Sequence, residues 1–333
     1  MDFIVERNIP FIKGLLEPYG TVRYLAASEI TPEAMATADA LITRTRTRCD
    51  ERLLSGSRCS IIASATIGLD HVDTGYCRNH GIEVANAPGC NAPAVAQYVF
   101  ASVITLLGSD LRGRTIGVIG AGHVGSIVVR WARALGMDVL VSDPPRAEAE
   151  GPDGFCSLAE IADKADVVTV HTPYTTEGPH ATHHLLGSEL LGSLKRRPIV
   201  INSSRGAVAD TAALKRAHKA GLCGPLVIDC WEGEPAIDQE LLEMASIATP
   251  HIAGYSRQGK VRATRMALEA VCRHFSLPVP RMAETVAEGA PDRVTAEAVL
   301  GSYDPMTDTA ALKSHPGLFE RMRNEYALRE EVK

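Results

Sequence analysis

Three short apolar runs in the second half of the chain each end in residues that could do chemistry. Ile199 to Asn202 leads into Ser203-Ser204-Arg205-Gly206, Leu226 to Ile228 into Asp229-Cys230-Trp231-Glu232-Gly233-Glu234-Pro235, and Ile247 to Thr249 into Pro250-His251-Ile252-Ala253-Gly254-Tyr255. A charge at the end of a buried strand is costly unless it meets an anion. Arg205, Glu234 and His251 together suit the oxidation of a secondary alcohol beside a carboxylate. Arg205 can grip the carboxylate and polarise the developing carbonyl oxygen. His251 can take the hydroxyl proton, because an imidazole exchanges its proton near neutral pH. Glu234 can bond the other ring nitrogen, which fixes the tautomer and steadies the imidazolium. The hydrogen on carbon leaves as hydride and needs an acceptor of its own.

Thr115 to Gly125, TIGVIGAGHVG, supplies the place for such an acceptor. Thr115 to Ile119 reads as a strand buried on both faces. Gly120, Gly122 and Gly125 follow at G-x-G-x-x-G spacing, with His123 and Val124 inside the loop, and the apolar run Val124 to Leu135 continues at helical period. Strand, glycine turn and helix together make a dinucleotide-binding fingerprint, with the pyrophosphate on the helix N-terminus. A second strand, Val139 to Ser142, ends in Asp143, placed to accept the ribose hydroxyls. An acid there repels a 2′-phosphate, so the reading is NAD rather than NADP, despite Arg146 nearby. Pro144-Pro145-Arg146 reads as extended. Strand Val167 to Val170 then leads to Thr172, where the cofactor crevice is expected.

These residues need a scaffold, and apolar runs alternating with helical segments provide one. Phe3 to Val5, Val22 to Leu25, Ala40 to Thr43, Ser60 to Ala65 and Ile82 to Val84 read as strands. Pro10 to Leu16 reads as a helix start and Pro32 to Ala36 as a short helical segment. The pattern predicts an α/β fold with two doubly wound parallel-sheet, Rossmann-like domains and a small C-terminal segment. Residues 1–91, completed by 255–277, would form a substrate-binding domain; 92–254 would form the NAD-binding domain; 278–333 would be the C-terminal segment. The crossing lies at Pro88-Gly89-Cys90-Asn91, followed by a buried helix near Ala92 to Leu107. A returning helix from Gln258 to about Phe275 closes the first domain, and Gly317 to Glu330 is expected to be helical.

In the first domain two strand ends look chemical. Arg44-Thr45-Arg46-Thr47-Arg48 follows strand Ala40 to Thr43, and in an extended segment its three guanidinium groups would share one side. They suit a substrate phosphate or carboxylate. Thr66, in Ala65-Thr66-Ile67-Gly68-Leu69-Asp70-His71-Val72-Asp73, could offer a hydroxyl and an N–H to a carboxylate, while Asp70 or Asp73 caps the next helix.

Composition narrows the field further. Of 333 residues, 45% are hydrophobic and 22% charged, and the net charge of −6 comes without a long basic run, so a nucleic-acid surface is not indicated. Met1 to Pro10 lacks the pattern of a signal peptide, and the longest apolar stretch is too short to span a bilayer. The eight cysteines are scattered without a C-x-x-C pair, which reads as free thiols in a reducing cytoplasm and no metal site. His171, His180, His183 and His184 match no standard metal spacing and read as a hydrogen-bonded surface loop.

Over about the first 275 residues the chain resembles the D-isomer-specific 2-hydroxyacid dehydrogenases, through GAGHVG, INSSRGAVAD, DCWEGEP and TPHIAGY in that order. Asp143 to Arg146 (DPPR), ATIGLDHVD, APGCNAPAVAQYVF, Tyr303-Asp304 and Phe319 to Glu330 narrow the likeness to a branch acting on a small phosphorylated 2-hydroxyacid. The resemblance implies NAD, a homodimer and a dimerisation role for the C-terminal segment. It places catalysis on Arg205, Glu234 and His251, and substrate contacts on Thr45, Thr66 and Tyr255. NAD contacts fall on Asp143, Thr172, Asp229 and Gly254 besides the glycine loop, and Arg44 and Arg48 fit a phosphate. Thr45 stands where a serine is common, His123 where an asparagine is common, and the tail is shorter than usual. The alternatives are a sister hydroxyacid dehydrogenase or reductase, and a non-catalytic NAD sensor, which would need no acid–base pair.

Overall fold

A computed structural model describes residues 1–284, 286–287 and 289–333. The chain divides into two compact units, Met1–Asn91 with Arg257–Glu288, and Ala92–Ser256 with Gly289–Lys333. Strands of the first unit are β1 (Asp2–Glu6), β2 (Thr21–Leu25), β3 (Ala40–Thr43), β4 (Ile61–Ser64) and β5 (Glu83–Ala85). They form a parallel sheet in the order β2-β1-β3-β4-β5. Alternate side chains serve opposite faces, as strand geometry requires. Phe3, Val5, Ile42 and Ala63 pack with Val261, Leu268 and Val271 of the Arg257–His274 helix. Ile4, Leu41 and Ile62 pack with Met35, Leu53 and Cys77.

The second unit holds β6 (Thr115–Ile119), β7 (Asp138–Ser142), β8 (Val167–Val170), β9 (Ile199–Asn202), β10 (Leu226–Ile228) and β11 (Ile247–Ala248). All pairs are parallel, in the order β11-β10-β9-β8-β6-β7. The order reverses between β6 and β8, which makes the crevice beyond their carboxyl ends the switch point where such sheets bind ligands. One face carries the buried Ala92–Leu107 helix and Trp131; the other carries Ile161, Leu190, Leu214 and Leu241 from the crossover helices.

Four expectations change. Residues 10–16 form turns, because the Glu17 carboxylate takes the N–H groups of Gly14 (3.1 Å) and Leu16 (3.2 Å) that a helix would direct to its own carbonyls. Pro144-Pro145-Arg146 is not extended but opens the Pro144–Glu150 helix, where Asp143 caps the Arg146 N–H at 3.1 Å and proline is tolerated in the first turn. From residue 289 onward the tail is built into the second unit: Val299, Tyr303 and Val332 enter one core, Leu312 and Phe319 the other. Its helices are Ala296–Ser302, Pro305–Ser314 and Phe319–Asn324; beyond Asn324 the chain is not helical, and Arg329 forms a parallel bridge with Ser256.

Candidate active site

Asn202, buried at the end of β9, folds the loop that follows it. Its Nδ2 donates to Arg205 O at 3.0 Å and to Cys230 O at 3.1 Å, and its Oδ1 accepts from Ser204 Oγ at 3.1 Å. A side chain at Gly206 would meet Trp231 O at 1.9 Å, so only glycine lets the loops after β9 and β10 close on each other. Arg205 is thereby held at the rim, half-buried, with Nη1 donating to Ser204 O at 2.8 Å.

The loops after β10 and β11 meet in the same way. His251 has a left-handed backbone (φ 56°), and its N–H donates to Asp229 O at 2.9 Å and Thr249 O at 3.0 Å. Its Nδ1 lies 2.8 Å from Glu234 Oε1 and 3.0 Å from Oε2. An ionised carboxylate only accepts, so Nδ1 carries the proton and Nε2 is left as the acceptor. Beneath this pair is Asp229, a fully buried carboxylate that accepts from Thr249 Oγ1 (2.7 Å), Ile252 N (2.7 Å) and Ala253 N (3.0 Å). Burial raises its pKa, opposed by His251 and by these donors. Thr249 is itself fixed by Tyr98, whose hydroxyl lies 2.8 Å from Thr249 Oγ1.

Tyr255 stands four residues beyond His251, its ring 6.1 Å edge-on from Tyr326. Arg323, from the tail, faces it. Burial opposes the charge on Arg323, but Tyr255 and Glu234 nearby outweigh it and raise its pKa. Tail residues therefore reach the same rim; the resemblance over Phe319 to Glu330 includes Arg323 and Arg329 but assigns neither a role.

At the switch point Gly120 turns with φ 88°, and a side chain there would come within 2.9 Å of the His171 carbonyl and 3.0 Å of Thr172 Cγ2. Gly122, the N-cap of the His123–Ala134 helix, has open space where a side chain would stand; His123 is exposed, Val124 half-buried and Gly125 buried. Asp143 Oδ2 takes the N–H of Ala121 at 2.7 Å, which joins the acid at the end of β7 to this loop. Thr172 Oγ1 is buried without a partner against the same loop. An orphaned buried hydroxyl beside an open helix N-terminus fits a polar cofactor group. Gly254 lies half-buried between His251 and Tyr255.

In the first unit, buried Glu6 sits at the end of β1 and takes the N–H of Arg44 at 2.9 Å and the Thr43 hydroxyl at 3.2 Å. This bends residues 44–47 into turns, so the three arginines do not share one side of an extended strand. Arg44 donates to Asn8 O at 3.2 Å and Arg48 pairs with Asp50 at 2.9 Å, while Thr45 is exposed. Thr66 shares its hydroxyl with Ser64 at 2.7 Å, and Asp73, not Asp70, caps the helix that follows. The structure thus gathers Arg205, Glu234, His251 and Tyr255 in the second unit and carries Arg44, Thr45 and Thr66 in the first. In the histidine patch, His184 meets Glu232 at 2.6 Å and stacks on His183, and His180 meets Glu148 at 2.8 Å. Among the described residues all eight cysteines are free, and no helix is long and apolar enough to cross a membrane.

A six-stranded dinucleotide sheet with an arginine, a glutamate and a histidine at three successive strand ends defines a nicotinamide-dependent dehydrogenase of hydroxyacids. Residues 94–253 match the family model described as D-isomer specific 2-hydroxyacid dehydrogenase, NAD binding domain. The chain belongs to the D-isomer specific 2-hydroxyacid dehydrogenase family, and its second unit binds NAD. Over nearly its full length it is similar to erythronate-4-phosphate dehydrogenases. It is 48% identical to that of Bacteroides fragilis, covering 99% of this chain and 97% of the relative. It is 39% identical to that of Azotobacter vinelandii, covering 100% and 93%. Among solved structures, the D-lactate dehydrogenase of Aquifex aeolicus, complexed with NAD and lactic acid, matches with a TM-score of 0.71 at 29% identity, covering 83% of this chain and 96% of that one.

Proposed function

We propose that this chain oxidises 4-phospho-D-erythronate to 2-oxo-3-hydroxy-4-phosphobutanoate with NAD, a step of the pyridoxal phosphate (vitamin B6) route. The bond of 2.8 Å from His251 Nδ1 to Glu234 carries the reading, because it leaves Nε2 as the base. Arg205 grips the carboxylate and draws electron density from the alcohol oxygen as the carbonyl forms. His251 Nε2 removes the hydroxyl proton, and the Glu234 carboxylate steadies the imidazolium that results. NAD supplies the hydride acceptor, held by Gly120, Gly122, His123, Val124, Gly125, Asp143, Thr172, Asp229 and Gly254. Tyr255 in the second unit, and Arg44, Thr45 and Thr66 in the first, are the proposed substrate contacts, with Thr66 suited to a carboxylate and Arg44 to a phosphate. The full-length likeness to erythronate-4-phosphate dehydrogenases supports the phosphorylated four-carbon acid over the lactate or phosphoglycerate of sister enzymes.

The chain is further proposed to act in the cytoplasm as a homodimer. In support, Leu300, Met306 and Leu318 are large apolar side chains left exposed on the tail. Initial rates on 4-phospho-D-erythronate, 3-phosphoglycerate and lactate, each with NAD, test the substrate. A higher kcat/KM on either of the other acids refutes the assignment. Sedimentation at micromolar concentration tests the dimer.

A further inference from the structure

Two buried groups of opposite charge hold the same stretch of backbone, the one that follows His251. Asp229 takes the N–H groups of Ile252 and Ala253. Arg329, four residues before the last position and 9% exposed, takes their carbonyls: Nη1 donates to Ile252 O at 3.0 Å and Nη2 donates to Ala253 O. Further donors of the guanidinium reach Ala94 O at 3.2 Å and Gln97 Oε1 at 3.3 Å on the Ala92–Leu107 helix and Tyr326 Oη at 3.4 Å, and the group lies 4.3 Å over the Tyr303 ring. Ser256, on the far side of the His251 loop, donates to Glu331 at 2.6 Å, so the last residues are fastened to the loop at two points.

His251 itself adopts the left-handed conformation, which a residue with a side chain keeps only where its surroundings over-determine it. Removing one of the two grips leaves carbonyls or N–H groups buried without partners, and the turn can then relax. The imidazole rides on that turn, and a misplacement of about 1 Å can cost about 10²-fold in rate.

We propose that Arg329 is a positioning residue for His251: its guanidinium fork fixes residues 251–253 so that the imidazole stays on Glu234 and Nε2 faces the substrate. The proposal rests on reading His251 as the base. It makes the last residues of the tail a support for the base rather than an appendage. An ammonium would keep the charge but could not meet several carbonyls at fixed angles.

The test uses the full-length chain with Arg329→Met and Arg329→Lys. Folding is monitored by thermal unfolding, NADH affinity by fluorescence titration, and turnover with 4-phospho-D-erythronate and NAD. Arg329→Met is expected to lose at least tenfold in kcat while the NADH dissociation constant changes less than twofold; a few millimolar guanidinium restores part of the rate. Arg329→Lys is expected to lose more than twofold in kcat but less than Arg329→Met. Either folded variant with kcat within twofold of the parent overturns the proposal, as does a loss of NADH affinity equal to the loss of kcat. If Arg329→Met does not fold, Arg329→Lys decides alone. A parent chain that fails to oxidise the substrate refutes the proposed reaction instead. The low-field proton resonance of His251 Nδ1–H, assigned by its loss in His251→Asn, then decides. It moves or broadens in Arg329→Lys if the turn is set by Arg329, and an unchanged resonance overturns the proposal.

Discussion

Asp143 Oδ2 accepts a hydrogen bond from Ala121 N at 2.7 Å, so the acid that ends β7 and the glycine loop that follows β6 form one piece. The same carboxylate caps the Pro144–Glu150 helix through Arg146 N, and the Arg146 side chain returns to Ala121 O at 2.7 Å. A negative charge is therefore fixed where an adenosine ribose would meet the loop, with a guanidinium directly behind it. Replacing Asp143 with alanine removes a charge-assisted hydrogen bond worth about 1.5 kcal/mol or more, roughly tenfold in affinity. It also removes the repulsion of a 2′-phosphate, while Arg146 stays paired with Glu150 at 2.7 Å. The expected result is a KM for NAD raised about tenfold and a narrower preference for NAD over NADP. Values of kcat/KM with both cofactors check this, and an unchanged ratio would show that Asp143 does not set the choice.

His251→Asn keeps a polar side chain at the turn and removes the base. A decline in kcat of about two to four powers of ten is expected, with NADH bound nearly as well as before. Stopped-flow rates and fluorescence titration separate the two effects. A rate within tenfold of the parent would mean that another group takes the proton.

Arg205→Lys keeps the charge at the end of β9 but loses the fork. The loop around it is held by Asn202 and by the close approach of Gly206 to Trp231, so the substitution leaves the loop in place. An ammonium offers no bidentate grip, and the KM for the hydroxyacid should rise by about tenfold or more while that for NAD stays put. Equal rises in both would point to a general disturbance of the sheet's rim.

Much of this was legible in the chain because each feature is local. The runs Thr115 to Ile119 and Val167 to Val170 are apolar on both faces and became β6 and β8 with the expected bounds. The chemistry proposed for Arg205, Glu234 and His251 rests on three strand ends that carry charge where a sheet wants none, and the structure joins two of them, His251 and Glu234. What was not legible is set by distant partners. Residues 10–16 follow a helical pattern, but Glu17 takes their N–H groups. The arginines from Arg44 to Arg48 suit an extended strand until buried Glu6 bends them into turns. Arg329 sits in a stretch that reads as helical but is not, and its partners at Ala94, Gln97 and Ile252 lie 77 or more positions away in the chain. No spacing rule records such contacts.

The tail also carries a titrating group whose sign can be worked out. Asp308 accepts from Tyr303 Oη at 2.8 Å and from Tyr326 Oη at 3.3 Å. Burial raises its pKa, and the donated hydroxyls and Arg329 offset this only in part. A carboxyl that holds its proton more tightly when folded than when unfolded favours the folded state below its unfolded pKa of about 3.9. That contribution is lost as pH rises through the folded value. Asp308→Asn cannot ionise, and its carbonyl still accepts from Tyr303. Its melting temperature relative to the parent should therefore increase between about pH 4 and pH 7. Asp229, shifted in the same direction, is present in both proteins and largely cancels in the comparison. Scanning calorimetry across that range measures the gap directly. A gap that stays constant, or shrinks with rising pH, would mean that Asp308 is ionised in the fold at no cost.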